Sequence, residues 1–219
     1  MGHHRSRPGR RTMNTAAHIV VAITPSARVI INYGTGETEM RRLDGRPVAG
    51  TVVPIPPTAP TWGTTEARAT LAPTGYAPQP WRLAAIPAVL LTAAIRTCGP
   101  RRRRFRRLVQ LACSGRLLAP ATSTQAEYAV RAVRWASYAM PTGWACLEES
   151  TAAAVLLALA GRRAEWRHGL ATDPVRLHAW LVDAQGKPVE EPQDTLLYTP
   201  TYTPDGPGPA RRSRRENAT

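Results

Sequence analysis

Hydrophobic positions along this chain follow first the rhythm of strands, then that of helices, then that of strands again. Residues 18–24 and 28–32 are short, largely β-branched runs separated by Pro25-Ser26-Ala27, and a third run, 38–43, follows the turn-like Tyr33-Gly34-Thr35-Gly36-Glu37. Runs of this length bounded by turn residues predict strands, here a small β meander over 18–45. So small a sheet buries little alone and must lean on the rest of the chain or on a partner strand. Residues 46–80 are rich in Pro, Thr and Gly without a sustained period, and read as an irregular linker.

From Trp81 the spacing becomes helical. Residues 83–95 form an apolar run interrupted by Pro87 and Thr92; Gly99-Pro100 breaks it, and the arginine-rich stretch 101–107 leads into a second apolar segment that ends near Cys113. The first run is too short to span a bilayer. It is either an interfacial helix held at acidic headgroups by the arginines, or a core helix followed by one with solvated arginines; runs of this length are more often core, and membrane contact is the minor reading. A third helix is predicted over 126–139, capped by Thr122 or Thr124, with Ala126, Ala129, Val130, Val133 and Ala136 on one face. After Pro141-Thr142-Gly143, Cys146 heads a fourth helix that is apolar nearly all round from Ala152 to Ala160 and is closed by Gly161. Strand-like runs then return at 164–170, 176–183 and 187–191, joined by Thr172-Asp173-Pro174 and Ala184-Gln185-Gly186.

Composition adds limits. A chain of 219 residues allows one ordinary domain with an appendage, or two small ones. The formal net charge is +14, yet of 29 basic residues only Lys187 is a lysine, and Arg, Ala and Pro richness of this kind follows from GC-rich coding. No aromatic-basic platform accompanies the arginine runs at 101–107 and 211–215, so no nucleic-acid partner is expected. Residues 1–17 and 203–219 read as a disordered basic arm and tail. Cys98, Cys113 and Cys146 show no paired spacing, which argues against a disulfide framework and against a zinc site. No metal or cofactor is expected. Without a convincing targeting segment, the expected compartment is the cytoplasm.

The candidate chemistry starts at Cys146. At a helix N-terminus the unpaired N–H groups and the dipole favour a thiolate, the nucleophilic form of cysteine. His178 lies in Leu177-His178-Ala179-Trp180-Leu181, where a lone histidine is more often structural. A cysteine at a helix start, a histidine on a later strand and a carboxylate on the next strand change that reading, because this is the chain order of a transglutaminase-like cysteine fold. The acid is open between two residues. Asp183 points away from the His178 face; a two-residue Gln185-Gly186 loop pairs Ala184 with Lys187 and brings Glu191 to that face, whereas a three-residue loop pairs Asp183 with Lys187 and brings Glu190.

The segment 81–202 resembles the McjB C-terminal-domain family, the transglutaminase-like leader peptidases of lasso-peptide biosynthesis. The resemblance is carried by Cys146-Leu147 with Ser150, Leu156-Leu157, Gly161, Trp166, Gly169, Thr172, Pro174, His178-Ala179-Trp180, Gly186-Lys187-Pro188-Val189, Glu191-Pro192 and Tyr198. It implies an α+β, transglutaminase-like (papain-like) cysteine protease fold, helices before a small antiparallel sheet, with the N-terminal meander outside the family segment. It further implies that Cys146, His178 and Glu191 carry catalysis, the Glu-Pro match favouring Glu191. The substrate implied is the leader region of a precursor peptide, and the implied partners are a leader-recognition protein and a macrolactam-forming cyclase. A transglutaminase-type acyltransferase would use the same three residues, and a basic, non-enzymatic adaptor or nucleic-acid-binding protein would use Cys146 and His178 as packing.

Overall fold

The computed structural model describes residues 18–44, 47–57, 75–140, 144–172 and 175–208. The three N-terminal runs are strands β1 (Ile19–Ile23), β2 (Ala27–Asn32) and β3 (Thr38–Arg42), paired antiparallel in sequence order. Inside the expected linker lies a fourth strand, β4 (Thr51–Pro54), which pairs parallel with β1. The linker reading of 46–80 is corrected here. Val52 and Val53 have the β-branched side chains a strand favours, and Pro54 is tolerated because β4 is an edge strand that owes no donor on its outer side. Residues 58–74 of that segment, and the arm 1–17, lie outside the described residues.

The helices come next: α1 (Gln79–Thr97), α2 (Arg104–Ala112), α3 (Ser123–Ser137) and α4 (Cys146–Leu159), with a 3-10 turn at Arg101–Arg103 after the Gly99-Pro100 break. Thr122 caps α3 through a reciprocal box with Gln125, donor and acceptor on each residue meeting the other. Cys113 is the C-cap of α2 and packs half-buried on the core. Helix α4 is buried on nearly every side, as its composition requires, between α1, α2, α3 and the C-terminal sheet. It stops at Ala160, where Gly161 takes φ +69°, a left-handed turn that costs glycine nothing.

Two two-residue strands, β5 (Ala119–Pro120) and β6 (Arg162–Arg163), pair parallel at the exit of α4. The C-terminal sheet is built from β7 (Glu165–Ala171), β8 (Arg176–Val182), β9 (Thr199–Thr203) and β10 (Gly206–Pro207), in the order β10-β9-β7-β8. The expected strand at 187–191 does not form. The chain makes a single bridge, Val182 with Pro188, closed by the Asp183 N–H on the Lys187 carbonyl and the Val189 N–H on the Leu181 carbonyl, then leaves the sheet edge. Proline at 188 and 192 removes ladder donors on either side, so the pairing cannot extend. β9 and β10 also carry the ordered chain past residue 202, so the expected tail from 203 begins as a hairpin; residues 209–219 lie outside the described residues. One continuous core includes Val20, Val29 and Ile31 of the N-terminal sheet together with Leu156, Leu157, Trp166 and Leu181. The N-terminal sheet therefore leans on the rest of the chain.

Candidate active site

Cys146 is the first residue of α4, preceded by Ala145 as N-cap, and the first helical bond is closed by Glu149 N–H on the Ala145 carbonyl. The N–H groups of Cys146, Leu147 and Glu148 precede that bond, leaving donors at the helix head. Cys146, Glu149, Ser150, His178 and Glu191 line one cleft, with Val130 and Leu181 among its apolar walls.

His178 reaches the cleft from β8. Its Nε2 meets Glu191 Oε2 at 2.8 Å, and Cys146 lines the same cleft. With Nε2 engaged by the carboxylate, Nδ1 is the nitrogen left for the thiol. Burial alone would pull the His178 pKa down, but the hydrogen bonds and charges of Cys146 and Glu191 outweigh it and hold the imidazole up at about 9. Trp180, two residues along the same strand face, stacks on the imidazole at 9° between planes, and Tyr198 closes on it at 5.2 Å between ring centroids. Gly169, cross-strand from His178, makes room for this stack: a Cβ there would stand 2.7 Å from the Trp180 ring and 2.6 Å from the Thr199 carbonyl.

The three residues singled out in the sequence are thus brought together, but by a register that the strand rule assigned to Glu190. Asp183 pairs with Lys187 across a three-residue loop. Glu190 then adopts φ +55°, which turns the chain off the sheet edge and rotates the next residue inward. Glu191 takes the His178 face, and Glu190 instead ion-pairs with Arg131 at 2.7 Å. Thr195 Oγ1 donates a second bond to Glu191 Oε2 at 3.3 Å.

Two residues of this site were not expected from the sequence. Arg134 of α3 is buried and forms an ion pair with Glu149, donates to the Glu190 carbonyl at 2.9 Å, and approaches Glu191 Oε1 at 3.6 Å. It holds the acid loop, the head of α4 and α3 to one another. Its signal was present: Arg134 follows Ala126 and Val130 at helical spacing, and an arginine on an apolar face is buried only when paired. Glu149 is kept above the usual carboxylate range by burial, in spite of the Arg134 guanidinium beside it. Glu148, on the far side of the same turn, receives Arg96 at 3.3 Å and Arg104 at 2.9 Å, which ties α4 to α1 and α2.

The other thiols are elsewhere. Cys98 is exposed at the end of α1, and Cys113 is pushed up to about 12 by burial. No group of three or more metal-ligating side chains occurs among the described residues. With the geometry in hand, comparison with known families is decisive: the family model described as the transglutaminase-like superfamily matches residues 88–203, more than half of the chain. The chain belongs to the transglutaminase-like superfamily. Comparison with curated proteins and with solved structures finds no match to this superfamily member. The matched segment starts inside α1 and ends with β9, so it contains the whole of α4, β7, β8 and the loop bearing Glu191, and leaves out the N-terminal sheet.

Proposed function

We propose that this transglutaminase-like protein is a cysteine peptidase that removes the leader from a ribosomally made lasso-peptide precursor in the cytoplasm. The observation that carries the reading is His178 bonded to Glu191 in the cleft that Cys146 lines from the head of α4, the set of groups that thiol catalysis uses. In the reaction Cys146 Sγ attacks the scissile carbonyl carbon, and the oxyanion forms against backbone N–H groups at the helix head. His178 gives its proton to the leaving amine as the C–N bond breaks, leaving an acyl thioester. Water then attacks the thioester, His178 takes a proton from it, and the carboxylic acid and free thiol are released. Glu191 orients the imidazole and stabilises its charged form. A leader-recognition protein and a macrolactam-forming cyclase are the partners this role requires; no cofactor enters.

The experiment is incubation of the purified chain with a precursor peptide, followed by mass spectrometry. Hydrolysis at one bond between leader and core, lost in Cys146→Ala, supports the reading. Mass increments from a supplied primary amine would instead assign a transglutaminase-type acyl transfer through the same thioester, and absence of both with a folded protein would remove the enzymatic reading.

A further inference from the structure

Helix α1 presents to solvent the face an ordinary surface helix hides. Its inward residues are small, Ala85, Ala88, Val89 and Thr92, whereas Leu83, Ile86, Leu90 and Leu91 are 57%, 40%, 56% and 44% exposed. Ala84, Pro87 and Ala94 fill the gaps between them, so no charged side chain interrupts the outer arc from residue 83 to 94. An exposed apolar ridge of this extent marks an interaction surface. Its surroundings say of what kind. Between Gln79 and Cys113 there are eight arginines and no acidic residue. Arg82 and Arg96 lie half-buried at the flanks, while Arg101, Arg102 and Arg103 are exposed just past the C-terminal end, and no ion pair among the described residues engages these three. At the other end Arg82 lies 4.1 Å over the ring of the partly exposed Trp135 and 5.7 Å from that of Tyr76, which is also exposed.

Aliphatic ridge, aromatic rings at one end and unopposed arginines at the other are what an anionic interface selects: acyl chains take the ridge, the polar-apolar boundary takes the rings, and phosphates take the guanidinium groups. A second copy of this chain fits poorly, because a two-fold contact through α1 brings two arginine-rich segments together, and residues 79–113 hold no acidic residue to answer them. We propose that the outer face of α1 docks the protein on an anionic phospholipid surface, with Leu83, Leu90 and Leu91 entering the acyl boundary and Arg101–Arg103 lying among the headgroup phosphates. No helix among the described residues is long and apolar enough to cross a membrane, and the docking is peripheral. It is independent of the peptidase reading.

The test is co-sedimentation of the full chain with vesicles of phosphatidylglycerol and phosphatidylcholine, or of phosphatidylcholine alone, at low and high salt. The protein is expected to partition onto the anionic vesicles and to leave them as salt rises. Replacing Arg101, Arg102 and Arg103 with glutamine should lower the partition coefficient about a hundredfold at low salt. Leu83→Ser with Leu90→Ser should abolish binding while the circular dichroism and melting temperature stay near wild type, since both side chains are already exposed. Arg162→Gln, an exposed arginine far along the chain at the exit of α4, serves as the charge control and should bind like wild type. Equal partition of wild type and the leucine variant, or of anionic and neutral vesicles, overturns the proposal. So does a concentration-dependent dimer in sedimentation velocity that Leu90→Asp dissociates without any vesicle binding by the wild type, which assigns the ridge to a second copy.

Discussion

At the scale of single residues, two neighbouring glutamates have been given different work by one backbone angle. Glu191→Gln is expected to lower peptide turnover about a hundredfold or more, because it removes the group that fixes the tautomer and stabilises the imidazolium. Glu190→Gln, which weakens the Arg131 pair and leaves the His178 carboxylate in place, should cost stability and leave turnover near wild type; a larger kinetic loss in Glu190→Gln would reverse the assignment. The same contact has a pH signature. The folded state holds the His178 proton up to about 9 whereas an unperturbed imidazole releases it near 6.5. The native chain therefore binds more protons than the unfolded one in that interval, and the stabilisation is complete below about 6.5 and is lost as pH rises through about 9. In Glu191→Gln the His178 pKa falls, so both that decline in stability and the alkaline limb of activity should move to lower pH, measured by urea unfolding and by kcat against pH. The thiols separate as cleanly. With its pKa raised to about 12 by burial, Cys113 should resist iodoacetamide at neutral pH, inactivation should track carboxymethylation of Cys146, and Cys98→Ala and Cys113→Ala are expected to retain cleavage. Inactivation through Cys113 would contradict the assignment.

At the scale of elements, the cleft depends on how three pieces meet: the head of α4, the β7–β8 pair and the loop after β8. Strand β8 is a sheet edge, so His178 is steadied by what stacks on it and not by a further strand. The absence of a side chain at Gly169 lets the Trp180 ring lie against β7 while covering His178. Gly169→Ala is expected to destabilise by about 1–3 kcal/mol, because both contacts closer than 3 Å involve rigid partners, a backbone carbonyl and an indole. It should also lower kcat more than it raises KM, since the displaced group is the imidazole and not a substrate wall. A variant with unchanged kinetics would detach the indole stack from the function of the site.

At the scale of the whole molecule, the N-terminal sheet is joined to the family segment by a buried polar chain as well as by packing. Thr201 Oγ1 donates to the His168 carbonyl at 3.1 Å, so the 2.8 Å contact between the hydroxyls runs from Tyr33 to Thr201, and His168 Nδ1–H donates to Tyr33 at 2.6 Å. Burial keeps His168 neutral, pulling it down to about 3, as the donor role from one tautomer requires. Tyr33→Phe leaves two buried groups short of a partner and should cost about 1–3 kcal/mol, with thermal unfolding remaining one transition because the two sheets share a core. Two separate transitions would show the N-terminal sheet to be an independent unit.

The sequence by itself determined what depends on neighbours a few residues apart. The strands of the meander, the cap of α3 at Thr122, the all-round apolar character of α4 with Cys146 at its head and Gly161 at its end, and the shared face of His178 and Trp180 are consequences of period and local hydrogen bonding. The tertiary structure alone decided what depends on distant partners. β4 exists because β1 offers it an edge; β9, not 187–191, joins the sheet because Pro188 and Pro192 withhold the donors a ladder needs. The register counted from the loop pointed to Glu190, and the left-handed turn at that residue delivered Glu191 instead. Arg134 lies on a helix face readable in the sequence, but its three partners come from α4 and from the acid loop, which only the packed chain brings within reach. The leucines of α1 likewise read as core by composition, and it took the packed helices, whose interface accepts only alanine, valine and threonine from α1, to leave them facing outward.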